Sequence, residues 1–254
     1  ATFSNISIAT QVSNCTLAAA STGLTSATST AFNIVAASGG AVKLGFVTNP
    51  PTNTTAGSSL GTIQVALQDA SGVTVTTATT TTVTLALGAN PGSGSLTGTL
   101  TASTISGIAT FSGNTIVKAA TGYTLAATAT GYQSATGSAF NTTAGTATKV
   151  GFLQPPTTTT AGLPFSPTIQ VAVQDVNGNT VTSSSAIVGL LFDASGTSGG
   201  SFDGASTATA VNGVATFPGL RVKKANTGYS LFAASTLLSC GRFSSRALSS
   251  TRAS

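Results

Sequence analysis

The chain has 254 residues, 41% of them hydrophobic and only 5% charged, with nine Lys and Arg against four acidic residues, all Asp, and a formal net charge of +5. It contains no His, Met or Trp, and two Cys. Without histidine there is no Ser-His-Asp or Cys-His catalysis and no histidine metal ligand, and two cysteines cannot supply a zinc site that needs four protein ligands, so we expect neither an enzyme nor a cofactor.

Internal repetition organises the chain. Ala-Thr-Phe occurs at 1–3, 109–111 and 215–217, and residues 1–33 align without a gap to 109–141 with 17 of 33 positions identical. Further on, Lys43-Leu-Gly-Phe matches Lys149-Val-Gly-Phe, and Thr62-Ile-Gln-Val-Ala-Leu-Gln-Asp69 matches Thr168-Ile-Gln-Val-Ala-Val-Gln-Asp175. The period is one domain long, which predicts three parts. Residues 1–38 are the C-terminal strands of a partial repeat, 39–144 a complete repeat, and 145–254 a second complete repeat with an atypical basic tail.

In chain order, the partial repeat supplies last strands only, and by itself it would expose an apolar face and unpaired edges. Either upstream sequence or strands donated by another subunit would complete it. In the first complete repeat, Ile63-Gln-Val-Ala-Leu and Thr82-Val-Thr-Leu-Ala-Leu87 alternate with a period of two and carry branched side chains, as half-buried strands do. Turn signals follow at Asp69-Ala-Ser-Gly72 and Asn90-Pro-Gly92, and in the second complete repeat at Asp175-Val-Asn-Gly178 and Val211-Asn-Gly213. About seven strands per repeat at this spacing predict a two-sheet sandwich.

Gly122-Tyr123 and Gly228-Tyr229 open the penultimate strand, where a tyrosine hydroxyl ties down the corner of Greek-key sandwiches, or where an ordinary half-buried strand tyrosine would sit. The expected core anchors are Phe3, Phe111 and Phe217 with Phe32, Phe140, Phe46 and Phe152, among many small Ala. Phe46 follows Phe32 by only fourteen positions and Phe152 follows Phe140 by twelve, which leaves little free linker and predicts that consecutive sandwiches follow one another stiffly. After Leu231-Phe-Ala-Ala the repeat pattern dissolves into an Arg- and Ser-rich tail, either an imperfect final strand or a boundary.

Lys-(Leu/Val)-Gly-Phe, Pro-Pro-Thr-x-Thr-Thr-Ala-Gly, Gln-Val-Ala-(Leu/Val)-Gln-Asp-x-x-Gly, Gly-(Ile/Val)-Ala-Thr-Phe and Gly-Tyr-(Thr/Ser)-Leu together resemble the tandem bacterial immunoglobulin-like repeats of invasin- and intimin-type surface proteins. The resemblance covers both complete repeats and the partial one. It implies an all-β chain of tandem immunoglobulin-like Greek-key β-sandwiches, acting as extracellular spacers or polymers. Such modules serve as stalks, adhesins, fibre subunits and phage virion decorations, so the resemblance bears on fold more than on function.

Partners are narrowed by composition. The densest apolar run, residues 186–192, falls far short of the roughly 20 residues a membrane helix needs, so no membrane span is expected. Arg242, Arg246 and Arg252 crowd the last thirteen residues, and without them the net charge is +2 with no basic stripe, which argues against nucleic acid. The absence of methionine predicts a processed product or a window from a longer protein. Sparse charge with abundant Thr, Ser, Ala and Gly points to an extracellular or cell-surface location.

Candidate sites are few. Asp69 and Asp175 precede tight turns, where an Asp side chain caps its own turn. Asp193 and Asp203 flank a Ser/Gly-rich loop as solvated residues or poor calcium ligands. Lys43 and Lys149 open equivalent strands, a placement compatible with Lys–Asn isopeptide chemistry only if a buried acid stands beside them. Arg221, Lys223 and Lys224 read as a solvated basic face. Cys15 takes the position of Tyr123 and Tyr229, and Cys240 lies more than two repeats away, so an intermolecular disulfide and two free thiols both stand open. Asn5, Asn14, Asn53 and Asn141 lie in Asn-x-Ser/Thr sequons, and Thr runs at 76–84 and 157–160 are further glycan candidates.

The sequence thus predicts a structural subunit or stalk of an extracellular bacterial filament or surface fibre, self-associating or continuing into a longer repeat protein, with strand complementation as one way of joining. A ligand- or glycan-binding adhesin with specificity in loops 88–98 and 194–204, or a phage virion decoration, is the alternative.

Overall fold

Alternation places every second side chain of Ile63–Gln68 and Thr82–Leu87 on the same side, and that side is the core: Ile63, Val65, Leu67, Val83 and Leu85 are all buried. In the computed structural model, residues 2, 8, 12–34, 40–193, 199–235 and 247–251 are described. Their regular structure is entirely β. The chain divides into two compact units, one of Ala1–Thr54, Ser58–Ile116 and Ala120–Thr142, the other of Thr55–Gly57, Val117–Ala119 and Thr143–Ser254.

In the first complete repeat one sheet runs Ile108–Phe111, Ile63–Gln68, Lys43–Thr48, and the facing layer runs Thr101–Ser103, Thr82–Leu87, Leu125–Thr128, Ala135–Thr136. A further group places Phe140–Thr143 between Ala120–Tyr123 and Asn53–Thr55. The second repeat has the same order. Val214–Phe217, Ile169–Gln174 and Lys149–Gln154 form one sheet, and Thr159–Thr160, Ala247–Thr251, Thr227–Ser235, Ile187–Phe192 and Thr207–Thr209 the other. The short Thr159–Thr160 strand lies parallel to the last strand while every other pairing within this unit's sheets is antiparallel. This is the arrangement in which the leading edge of a Greek-key immunoglobulin-like sandwich passes from one sheet to the other.

Register repeats with the sequence. Phe111 faces Ile63 as Phe217 faces Ile169, and Leu85 pairs with Ala127 as Leu190 pairs with Ala233. A one-residue slip would turn each apolar set to solvent, so the alternating pattern fixes this register. Of the expected anchors, Phe111, Phe140 and Phe217 are buried, and Phe46 and Phe152 are partly buried against the same clusters. Tyr123 and Tyr229 are the largest fully buried side chains and join them, with Phe165 added in the second repeat. Burying each such aromatic stabilises its sandwich by about 2–3 kcal/mol in transfer free energy alone.

Residues 12–34 form two short antiparallel pairings with the register of the first repeat's own last strands. Ala18 and Ala19 pair with Thr28 and Ala27 as Ala126 and Ala127 pair with Thr136 and Ala135, and Cys15 faces Phe32 as Tyr123 faces Phe140. Burial differs sharply. Leu17 is 48% exposed and Phe32 37%, where their counterparts Leu125 and Phe140 are at 0% and 1%. Phe32 is therefore not the core anchor the sequence suggested, because no opposing sheet covers it among the described residues. Phe3 lies outside them.

The last strand also departs from expectation. Although the repeat pattern fades after residue 234, Ala247–Thr251 pairs with the front of Thr227–Ser235 and sets Leu248 opposite Tyr229, the place Phe140 takes opposite Tyr123.

Candidate functional site

The two equivalent aspartates differ in their surroundings. Asp69 Oδ1 accepts the N–H of Val73 at 2.9 Å, and the Asp69 carbonyl accepts the N–H of Gly72, a turn closed by its own first residue. Asp175 is 1% exposed and accepts more. Its Oδ1 takes the N–H groups of Asn177 and Asn179 and its Oδ2 takes the Gly145 N–H and the Asn179 Nδ2, all at 2.9 Å. Asn179 Nδ2 also donates to the Val117 carbonyl at 2.8 Å, and its Oδ1 accepts the Ala119 N–H, within the same compact unit. Burial pushes the Asp175 carboxyl up, but the Asn179 side chain and the Gly145, Asn179 and Asn177 N–H groups outweigh it and hold the group below its ordinary range. Asn179, which stands where the first repeat has Val73, supplies one of the added donors through its side chain.

The lysines that open equivalent strands cap these turns. Lys43 Nζ donates to the Ala70 carbonyl at 3.0 Å and Lys149 Nζ to the Val176 carbonyl at 3.1 Å. This gives both amines a structural use at the turn.

The corner tyrosines differ as well. Tyr229 donates its hydroxyl to the Lys224 carbonyl, five residues upstream, at 3.2 Å, which is the corner tie the sequence suggested. Tyr123 instead meets the Thr142 side chain and the Gly92 backbone, and burial raises its phenol more than those hydrogen bonds lower it. Gly92 is required there, since a Cβ would collide with the Tyr123 hydroxyl.

Asp203 and Arg221 oppose one another across a two-residue ladder, with a single 3.9 Å ion pair between half-exposed side chains. Such a pair contributes about 0–1 kcal/mol. Beside it, Phe192 stacks on Phe202 at 4.3 Å between centroids and packs against Tyr229 at 5.2 Å. Lys223 and Lys224 are exposed, as the basic-face reading expects. The loop between Asp193 and Asp203 includes 194–198, outside the described residues. Among the described residues no group of three or more His, Cys, Asp or Glu is placed to hold a metal ion, and no helix is long and apolar enough to cross a membrane.

The sequons fall in distinct settings. Asn141 Nδ2 donates to Asn53 Oδ1 at 3.0 Å, and Asn141 Oδ1 accepts the Gly122 N–H, so the two acceptor side chains bond to one another. Asn14 is exposed, adopts φ 58° and donates its N–H to Asn33 Oδ1, the geometry that Gly122 makes with Asn141. Asn5 and Cys240 lie outside the described residues, and Cys15 is a free, half-buried thiol.

Sequence reasoning missed an outward apolar stripe on the second repeat. Ile187 and Leu191 are each 51% exposed, and with Gly189, Ala234 and Thr207 they line an open recess of about 350 Å³. Their counterparts in the first repeat are Thr82, Ala86 and Thr84. The signal was present in Ile187-Val-Gly-Leu-Leu-Phe192, where both faces of the alternation are apolar.

No family model matches the chain, and no curated protein matches it in sequence. Solved structures do. The Escherichia coli adhesin FdeC is 15% identical with a TM-score of 0.37, over 87% of this chain and 69% of that one. Yersinia pseudotuberculosis InvD is 17% identical with a TM-score of 0.35, over 83% and 57%. A β-glycosidase from Bacteroides vulgatus is 13% identical with a TM-score of 0.31, over 82% and 24%. The fold assignment rests on the strand order and register above.

Proposed function

We propose that the chain is a non-enzymatic structural part of an extracellular bacterial surface protein, a stalk or filament segment in which repeated sandwiches carry length. The observation that supports this is what the repeats share. The core register, the Asp-initiated turn and its lysine cap recur from one repeat to the next, whereas outward positions such as Thr82, Thr84 and Ala86 against Ile187, Gly189 and Leu191 do not. Shared cores with divergent surfaces favour repetition for architecture over a repeated ligand site. Joining by strand complementation is the finer form of this reading, beside continuation into a longer repeat protein, and either would cover the exposed Leu17 and Phe32.

The adhesin reading is favoured by one feature, the outward stripe at Ile187 and Leu191, which only the second repeat carries. The test is immunogold labelling of intact source cells with antibody raised against this chain. Label along surface fibres or stalks is expected. Label found only after lysis would overturn the proposal, as would hydrolase turnover that an Asp203→Ala change abolishes.

A further inference from the structure

Alternation along Ile187–Phe192 turns Val188 and Leu190 into the core and Ile187, Gly189 and Leu191 outward. Pairing register then sorts the outward side chains into rows. Leu191 stands directly beside Phe232, and Gly189 stands between Ala234 and Thr207. A row of large apolar groups therefore runs next to a row of small ones, about 6.6 Å away along the strand. Leu191 is 51% exposed, and Phe232 and Ala234 are half-buried. No charged residue lines the recess over the small row. The first repeat lacks this profile, since its counterparts are Ala86 and Ala126 in one row and Thr84, Thr128 and Thr101 in the other.

We propose that this face docks a second copy of the chain, the two sheets packing face to face about a two-fold axis that lies over Leu190 and runs across the strands. That operation reverses the order of the rows. Leu191 and Phe232 of each copy then lie over Gly189 and Ala234 of the other, large on small twice over, at the roughly 10 Å spacing of packed sheets.

The order of the rows is what selects a second copy as the occupant. A uniformly apolar face would accept any apolar partner, whereas a large row beside a small one carries its own complement under a two-fold rotation. The contact is lateral and independent of how chain ends join. A few side chains on one sheet face bury less than the roughly 800 Å² a side of a standard stable interface, so a single pair is weak. It gains strength where many copies lie side by side in one fibre.

The test is sedimentation velocity of the full chain, with both cysteines kept reduced, from about 10 μM to about 1 mM, where small interfaces equilibrate. A reversible monomer–dimer equilibrium is expected. Gly189→Val fills the small row, and because a Cβ there meets only the Thr207 methyl, at 3.8 Å, its own sandwich is left undisturbed. It should weaken dimerisation about tenfold or more, and so should Leu191→Ala, which empties the large row. Leu17→Ser removes an exposed apolar group elsewhere, 48% exposed, and should leave dimerisation unchanged. A chain that stays monomeric at about 1 mM would overturn the proposal. So would a dimer that survives both Gly189→Val and Leu191→Ala with the Ile169–Gln174 amides still protected, or one that Leu17→Ser abolishes. Species that keep growing beyond the dimer would rule out the two-fold arrangement. The proposal goes beyond the stalk reading without resting on it: a monomeric chain would leave that reading standing, and label found only after lysis would leave the dimer standing.

Discussion

Replacing Asp175 with alanine removes an acceptor that four donors share. Two of them, the N–H and the Nδ2 of Asn179, belong to a side chain and turn that are buried, while Gly145 and Asn177 are nearer to solvent. A buried group left without its partner costs about 1–3 kcal/mol, so the two dry donors together make the loss about 3 kcal/mol. The matching change at Asp69 removes one hydrogen bond, to Val73, at a half-exposed turn and should cost about 1 kcal/mol. A chain of more than one unit has no single two-state transition, so the assay is native-state amide exchange read separately for Ile169–Gln174 and Ile63–Gln68. Asp175→Ala should speed exchange in the former about a hundredfold, and Asp69→Ala in the latter about fivefold. Acid should act in the same direction. A carboxyl held below its unfolded value contributes stability that is fully present above about pH 4 and is lost as pH falls through the folded value. Asp175→Asn should flatten that acid loss in the second repeat. If Asp175→Ala proves no more costly than Asp69→Ala, the argument from burial and donor number is wrong.

The remaining predictions concern turns, corner and surface. Gly107 and Gly213 sit at φ +76°, where a Cβ would run into the carbonyls of Val75 and Val181, so alanine at either should cost about 1–3 kcal/mol and show as faster exchange in its own repeat alone. Phe217→Ala should cost about 3–5 kcal/mol by cavity formation, and a loss under about 1 kcal/mol in chemical denaturation followed by exchange would contradict its place in the core. Tyr229→Phe removes only the bond to Lys224 and should cost about 1 kcal/mol in the same assay. Ile187→Ser with Leu191→Ser should change stability by less than about 0.5 kcal/mol each and reduce binding of a hydrophobic dye. Retention of full dye binding would remove the recess as a candidate contact surface.

Local chemistry made much of this molecule legible before any coordinates. Strand positions and register follow from period-two alternation in segments such as Ile63–Gln68, and turns from Asp-x-x-Gly. Both signals reside within a few adjacent residues. The internal repeat then transferred each assignment from one copy to the next, including the corner tyrosine at Tyr229. The outward stripe at Ile187 and Leu191 was written in the same alternation, although the recess needs the neighbouring strand that holds Ala234.

Burial was decided elsewhere. Phe32 and Phe140 share identity, sequence context and strand register, and one is 37% exposed while the other is 1%. Asp69 and Asp175 share a motif, and only the second is closed in by Gly145 and Asn179. The physical reason is the same in both pairs. A sequence specifies which way a side chain points along its own strand or turn, but whether that direction leads to water or to a packed interior depends on which distant segments the fold brings opposite.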